Sequence, residues 1–130
     1  MFTINFKPEF KEKIINGEKT TTIRKQRKTP FQIGKLLYIY TNSHADSHAG
    51  FKETQTKKTD PLIKTEITDI KMIKIDTDNS IFLDGKKIKE NEVDELIKKD
   101  GFNSKLDFFS FFRRQYDIPF HGVLIYWAKG

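Results

Sequence analysis

The chain has 130 residues, no cysteine, 24 Lys+Arg against 18 Asp+Glu and a formal net charge of +6. That length is one domain's worth, expected to span 1–130 around a single core. The missing cysteines exclude disulfides, thiolate zinc sites and cysteine nucleophiles. The longest apolar run, GVLIYWA, falls far short of the roughly 20 residues of a membrane-spanning helix.

MFTINF reads as a first strand and KPEFKEKIINGEK as a helix, with Pro8 in its first turn, Phe10 and Ile14 on one face, and Gly17 as its left-handed stop. TTTIR is a short extended segment, because threonine and isoleucine are stiff at χ1 and suit a pleat. KQRKTPFQIG is then a loop ending at Gly34, and KLLYIYT, apolar on both faces, is a central strand. Residues 42–60 are polar and aperiodic, a long loop. In PLIKTEITDIKMIKID the apolar residues alternate but slip in phase, the mark of a bulge or bend. Asp84-Gly85 predicts a tight hairpin turn. NEVDELIKKDGF reads as a helix capped by Asn91 and ended by Gly101, with Phe102 folding back on Ile97. A second helix starts at Ser104, capped with Asp107, and carries four phenylalanines within five positions, more than one apolar stripe needs. FHGVLIYW is a buried last strand. This order predicts an α+β fold, a curved and mostly antiparallel sheet or barrel with flanking helices.

Positive charge is concentrated early: residues 1–60 hold 12 Lys+Arg against 6 Asp+Glu, residues 61–130 hold 12 against 12. Its densest stretch is GEKTTTIRKQRK, residues 17–28, with five cations and one acid. Alternation along a strand puts Thr20, Thr22 and Arg24 on one face and Thr21 and Ile23 on the other. That polar face offers two hydroxyls and a guanidinium able to grip a phosphate or carboxylate in bidentate fashion, and Lys19 at the turn could join it. Lys25, Arg27 and Lys28 extend the positive surface, which favours a polyanion such as RNA or a nucleotide as partner. The competing assignment for this stretch is an edge strand guarded by polar side chains.

Asp100 sits at a helix C-terminus, where the backbone dipole disfavours a carboxylate by about 0.3–1 kcal/mol. The same dipole would raise its pKa, which suits a proton carrier. His44 and His48 bracket Asp46 in a polar loop tip. Glycine-rich phosphate loops, nucleophile elbows and HExxH motifs are absent, and no motif asks for a metal or another cofactor. Tyr38, Tyr40, Tyr126 and Trp127 lie on strands and could stack bases, while Arg113 and Arg114 could widen the basic surface. With no secretion signal in MFTINFKPEF, the expectation is a cytoplasmic protein.

IINGEKTTTIRKQRK, IGKLLYIYT, KKDGFNSKLDFFSFF and FHGVLIYW, taken in order, resemble the ASCH domain of the PUA-like superfamily. The resemblance spans most of the chain and is least marked at 42–60 and 76–90. It implies a PUA-like β-barrel with a cleft for RNA or a modified nucleoside. In the small bacterial ASCH proteins that are acetylcytidine amidohydrolases, a lysine, a threonine and a carboxylate from these motifs act together. By motif position these correspond to Lys19 as base, Thr22 as nucleophile and Asp100 as acid, with Arg24 as ligand clamp. Asp100 stands where those enzymes have glutamate, one methylene longer. Other ASCH members suggest a ribonuclease using the same cationic cleft.

Overall fold

The computed structural model describes residues 2–41 and 60–128, so the 42–60 loop with His44 and His48 lies outside the described residues except for Asp60. β1 (Phe2–Phe6) leads through a 3-10 turn (Pro8–Phe10) into the short helix α1 (Lys11–Ile15). Gly17, at φ +85°, ends it, as its freedom to turn left-handed predicts. β2 (Thr21–Arg24), β3 (Leu36–Thr41) and the long β4 (Ile63–Ile75) follow, then the hairpin β5 (Ile81–Leu83) and β6 (Lys86–Lys87). Asp84 and Gly85 take the two positive φ values of the hairpin turn, 51° and 88°. Helix α2 (Glu90–Lys99), helix α3 (Lys105–Gln115) and β7 (Phe120–Trp127) complete the described fold.

β7 pairs antiparallel along its whole length with the Ile67-to-Ile75 part of β4, and the two form the spine of the sheet. β2 pairs with the far side of β7. On its other edge β4 pairs first with β3 and then with β5. β1 joins β3 in parallel, the one parallel ladder among the described residues. The expected phase slip is a bulge in β4 between Ile67 and Asp69. It lies where the β3 partnership has ended and before β5 takes over, so the strand bends at the point where the sheet changes direction.

The sheet is packed on both faces. Along β7, Val123, Ile125 and Trp127 enter a core shared with Phe6, Phe10 and Ile14, whereas Phe120 and Leu124 enter a second core under α2 and α3. Each fully buried residue of this kind contributes about 1.5–3 kcal/mol relative to exposure. Phe108, Phe109 and Phe112 fill the second core and Phe111 packs against it, which accounts for the phenylalanines after Ser104, while Phe102 packs against both cores.

Two expectations need correction. The sheet does not close into a barrel: among the described residues no ladder joins β1 to β2. Instead, Arg24 Nη2 donates to Asn5 O at 2.9 Å and Arg27 Nη2 to Thr3 O at 3.1 Å. Side chains thus satisfy alternate carbonyls on the free edge of β1, and a gap is left where backbone pairing would seal it. Helix α2 also begins before Asn91, from an N-cap at Lys89 whose backbone N–H donates to the Glu92 carboxylate at 2.8 Å. The reciprocal carboxylate three residues in outweighs the Asn91 side chain.

Candidate functional site

The gap between β1 and β2 is a half-open cleft of about 260 Å³. Asn5, Phe6 and Lys7 wall it from β1 and its exit; Thr22 and Arg24 wall it from β2. Asp100 and Phe102 at the end of α2, with Phe111, Gln115 and Tyr116 from α3, close the far side. Lys19 completes the lining, so Lys19, Thr22, Arg24 and Asp100 share one concavity.

Lys19 and Asp100 are 2% and 3% exposed. The ammonium sits between the rings of Phe6 and Phe10, 4.9 Å from each centroid. It donates to Thr21 O at 2.8 Å and Asp100 O at 2.6 Å, and lies 3.5 Å from Asp100 Oδ1. All three protons therefore have acceptors. This cap belongs to a wider clasp on the end of α2: Thr20 N donates to Lys99 O at 2.9 Å and Lys13 Nζ to Gly101 O at 3.0 Å. Three successive carbonyls that the helix cannot satisfy itself are taken up by the α1–β2 segment. The basic, hydroxyl-rich stretch thus has a structural duty alongside any ligand role.

Burial is the main influence on both ionisable groups. It holds the Lys19 amine below the usual lysine range, against the opposing pull of the Asp100 carboxylate. It pushes the Asp100 carboxyl above the usual carboxylate range, opposed by Lys19 and by the Thr21 hydroxyl. The helix dipole was expected to raise Asp100; exclusion of water is the leading cause.

The hydroxyl that bonds Asp100 is that of Thr21, Oγ1 to Oδ1 at 3.0 Å. Thr22 Oγ1 instead accepts from Arg24 Nε at 3.2 Å, so the guanidinium orients the threonine while its Cζ lies 5.0 Å from the centroid of Phe6. Thr20 faces a separate groove rather than the cleft. Lys25 is exposed at the mouth, 5.7 Å from the Tyr116 ring centroid. Arg27 is held against Phe31 and the edge of β1, and Lys28 is exposed outside the cleft lining.

The aromatic surface of the cleft comes from Phe6, Phe10, Phe102, Phe111, Phe112 and Tyr116. None of the four strand aromatics proposed from sequence lines it; Trp127 is core and Tyr126 lies at a different hollow. Asn5, Lys7 and Gln115 are polar lining residues that sequence reasoning missed. The excess of phenylalanine on α3 was the available signal, since a face too wide for one core contact has to meet something else.

No family model matches the chain, and no curated protein matches it in sequence. Solved structures do match in shape. ASCH from Zymomonas mobilis superposes with a TM-score of 0.54 at 14% identity, over 97% of this chain and 65% of that one. Two mutant forms of the same protein give TM-scores of 0.54 and 0.53 at 14% identity. The chain spans about two thirds of the length of these neighbours, 65–68%. Among the described residues, the open seven-strand sheet and three α-helices form an α+β fold similar to that of these ASCH structures, matched over nearly all of this chain.

Proposed function

We propose that the cleft binds a nucleoside, either free or as an unpaired base of RNA. The observation that carries this reading is the meeting of Arg24 and Asp100 with the rings of Phe6, Phe111 and Tyr116 in one small concavity. Aromatic faces suit a base taken out of a stack. A guanidinium supplies donors only, and a carboxylate or amide side chain supplies acceptors for ring N–H and exocyclic amino groups. At about 260 Å³ the space is just under the roughly 300–1,000 Å³ of ordinary ligand pockets, a size for one base rather than a folded polymer. Lys7 and Lys25, at the mouth over Phe111 and Tyr116, are placed to meet phosphate. The resemblance to ASCH proteins points the same way.

Calorimetric titration with the four common nucleosides and acetylcytidine tests it. At least one is expected to bind, with affinity reduced tenfold or more in Arg24→Ala. Absence of binding by all five at millimolar concentration contradicts the reading.

One observation favours a second reading, amide hydrolysis of an acylated cytidine. Burial lowers the pKa of the Lys19 amine and raises that of the Asp100 carboxyl, and a lowered pKa is the direction that lets a lysine act as base. Lys19 would take the Thr22 proton as that oxygen attacks the acyl carbon, then return it to the departing amine; water would release the acyl group. Arg24 Nε already holds the Thr22 oxygen. Cytidine release from acetylcytidine, absent in Thr22→Ala, is the expected result, and equal rates in the two proteins contradict it.

A further inference from the structure

Among the described residues Leu106 is the most exposed of the large apolar side chains, at 75%. It stands on the wall of a hollow of about 740 Å³ between the 78–80 turn, the start of α2 and α3. The hollow shares no lining residue with the cleft. Its inner wall is apolar: Ile81, Val93 and Phe109 reach it from the core, and the half-buried Ile88 lies beside them. Along it α3 presents Leu106, Phe109, Ser110 and Arg113, the spacing of one helix face. A protruding leucine next to an apolar recess is what a self-matching surface needs, because in a twofold pair each copy supplies both knob and hole.

The charges favour a second copy over a foreign partner. At the start of α3, Lys105 is met by two acids of α2: it donates to the Glu90 carboxylate and lies 3.5 Å from Asp94 Oδ1. Both acids stay largely exposed, so this end carries one negative charge in excess. Arg113 lies about 12 Å further along the helix, at 1.5 Å per residue. It donates to the neutral side chain of Asn79 and has no ion pair among the described residues. Asp78 feels the charge of Lys87, and the two offset each other, so this end carries one positive charge in excess. A second copy turned so that its α3 runs antiparallel brings each Arg113 to the other's Glu90 and Asp94. A uniformly acidic or basic partner would instead meet repulsion at one end.

We infer that this face is a self-association surface, on which two copies of the chain pair through antiparallel α3 helices and each seats Leu106 in the other's hollow. The cleft contributes nothing to this face, so the inference stands or falls independently of the nucleoside reading.

Sedimentation velocity over a concentration series is the test. The mass is expected to rise from 15.3 kDa toward twice that value by about 100 μM, the range of a weak interface. Leu106→Glu, which would bury an unpaired charge, should weaken pairing at least about tenfold. Arg113→Glu and Glu90→Lys should each be monomeric alone, since each sets like charges opposite one another. An equal mixture of the two should pair, because both charge contacts of the mixed dimer are then of opposite sign, and that recovery also shows both variants to be folded. A chain still monomeric at about 100 μM overturns the inference and leaves the hollow to a partner of another kind. A dimer indifferent to Leu106→Glu, or two monomeric charge variants that do not pair when mixed, overturns it as well.

Discussion

Lys19 and Asp100 are the residues on which the site's chemistry and its architecture depend together. Removing one partner of a buried ion pair leaves the other unsatisfied, at about 3–5 kcal/mol. Lys19→Met, similar in volume, should lower unfolding free energy in urea by that amount; a change under about 1 kcal/mol would show that the ammonium braces nothing. The pH behaviour follows from the directions of shift. A carboxyl raised in the folded state binds its proton more tightly there, so the stability it contributes is full below its unfolded value, about 3.9, and is lost as pH rises through the folded value. The carboxyl carbon of Asp100, followed by NMR, should titrate above that reference. A midpoint at or below it contradicts burial as the dominant influence. Which threonine meets Asp100 was not legible in the sequence: alternation separates Thr21 from Thr22, but only the docking of α2 decides which face of β2 it approaches.

Among the elements, the end of α2 is the most demanding junction. Gly101 at φ +91° completes a Schellman turn, with Phe102 N donating to Ile97 O at 3.1 Å and Gly101 N to Lys98 O at 3.0 Å. A Cβ at Gly101 would lie 2.9 Å from Lys19 Cδ and 3.2 Å from Phe10 Cδ1. Gly101→Ala therefore adds to about 1–2 kcal/mol of left-handed strain a displacement of the lysine that lines the cleft. It should lower both the melting temperature and nucleoside affinity, whereas Gly85→Ala, with open space around its Cβ, should affect stability alone. Equal nucleoside affinity in both variants would sever the turn from the cleft. Gly17, Gly101, the Asp84-Gly85 turn and the Ser104 cap, whose Oγ accepts from Asp107 N at 3.1 Å, were all legible in the sequence because each is local chemistry. The start of α2 was misplaced where two local devices competed and the Glu92 carboxylate prevailed.

At the scale of the molecule, the cleft exists because the sheet stays open between β1 and β2. Closure was the natural expectation from strand count and order, and it fails where arginine side chains occupy the hydrogen-bonding edge of β1. No local pattern announces this, since it depends on strands distant in sequence meeting at the right spacing. The same holds for Asn5, Lys7 and Gln115, polar residues on separate elements that become neighbours only in the folded chain. Backbone amide chemical-shift mapping during titration with the nucleoside that binds most tightly tests the central claim most directly. The account expects the largest shifts to cluster at Phe6, Thr22, Arg24, Asp100 and Gln115. Shifts confined to the β5–β6 hairpin or scattered over the surface, with those five amides unmoved, would contradict it.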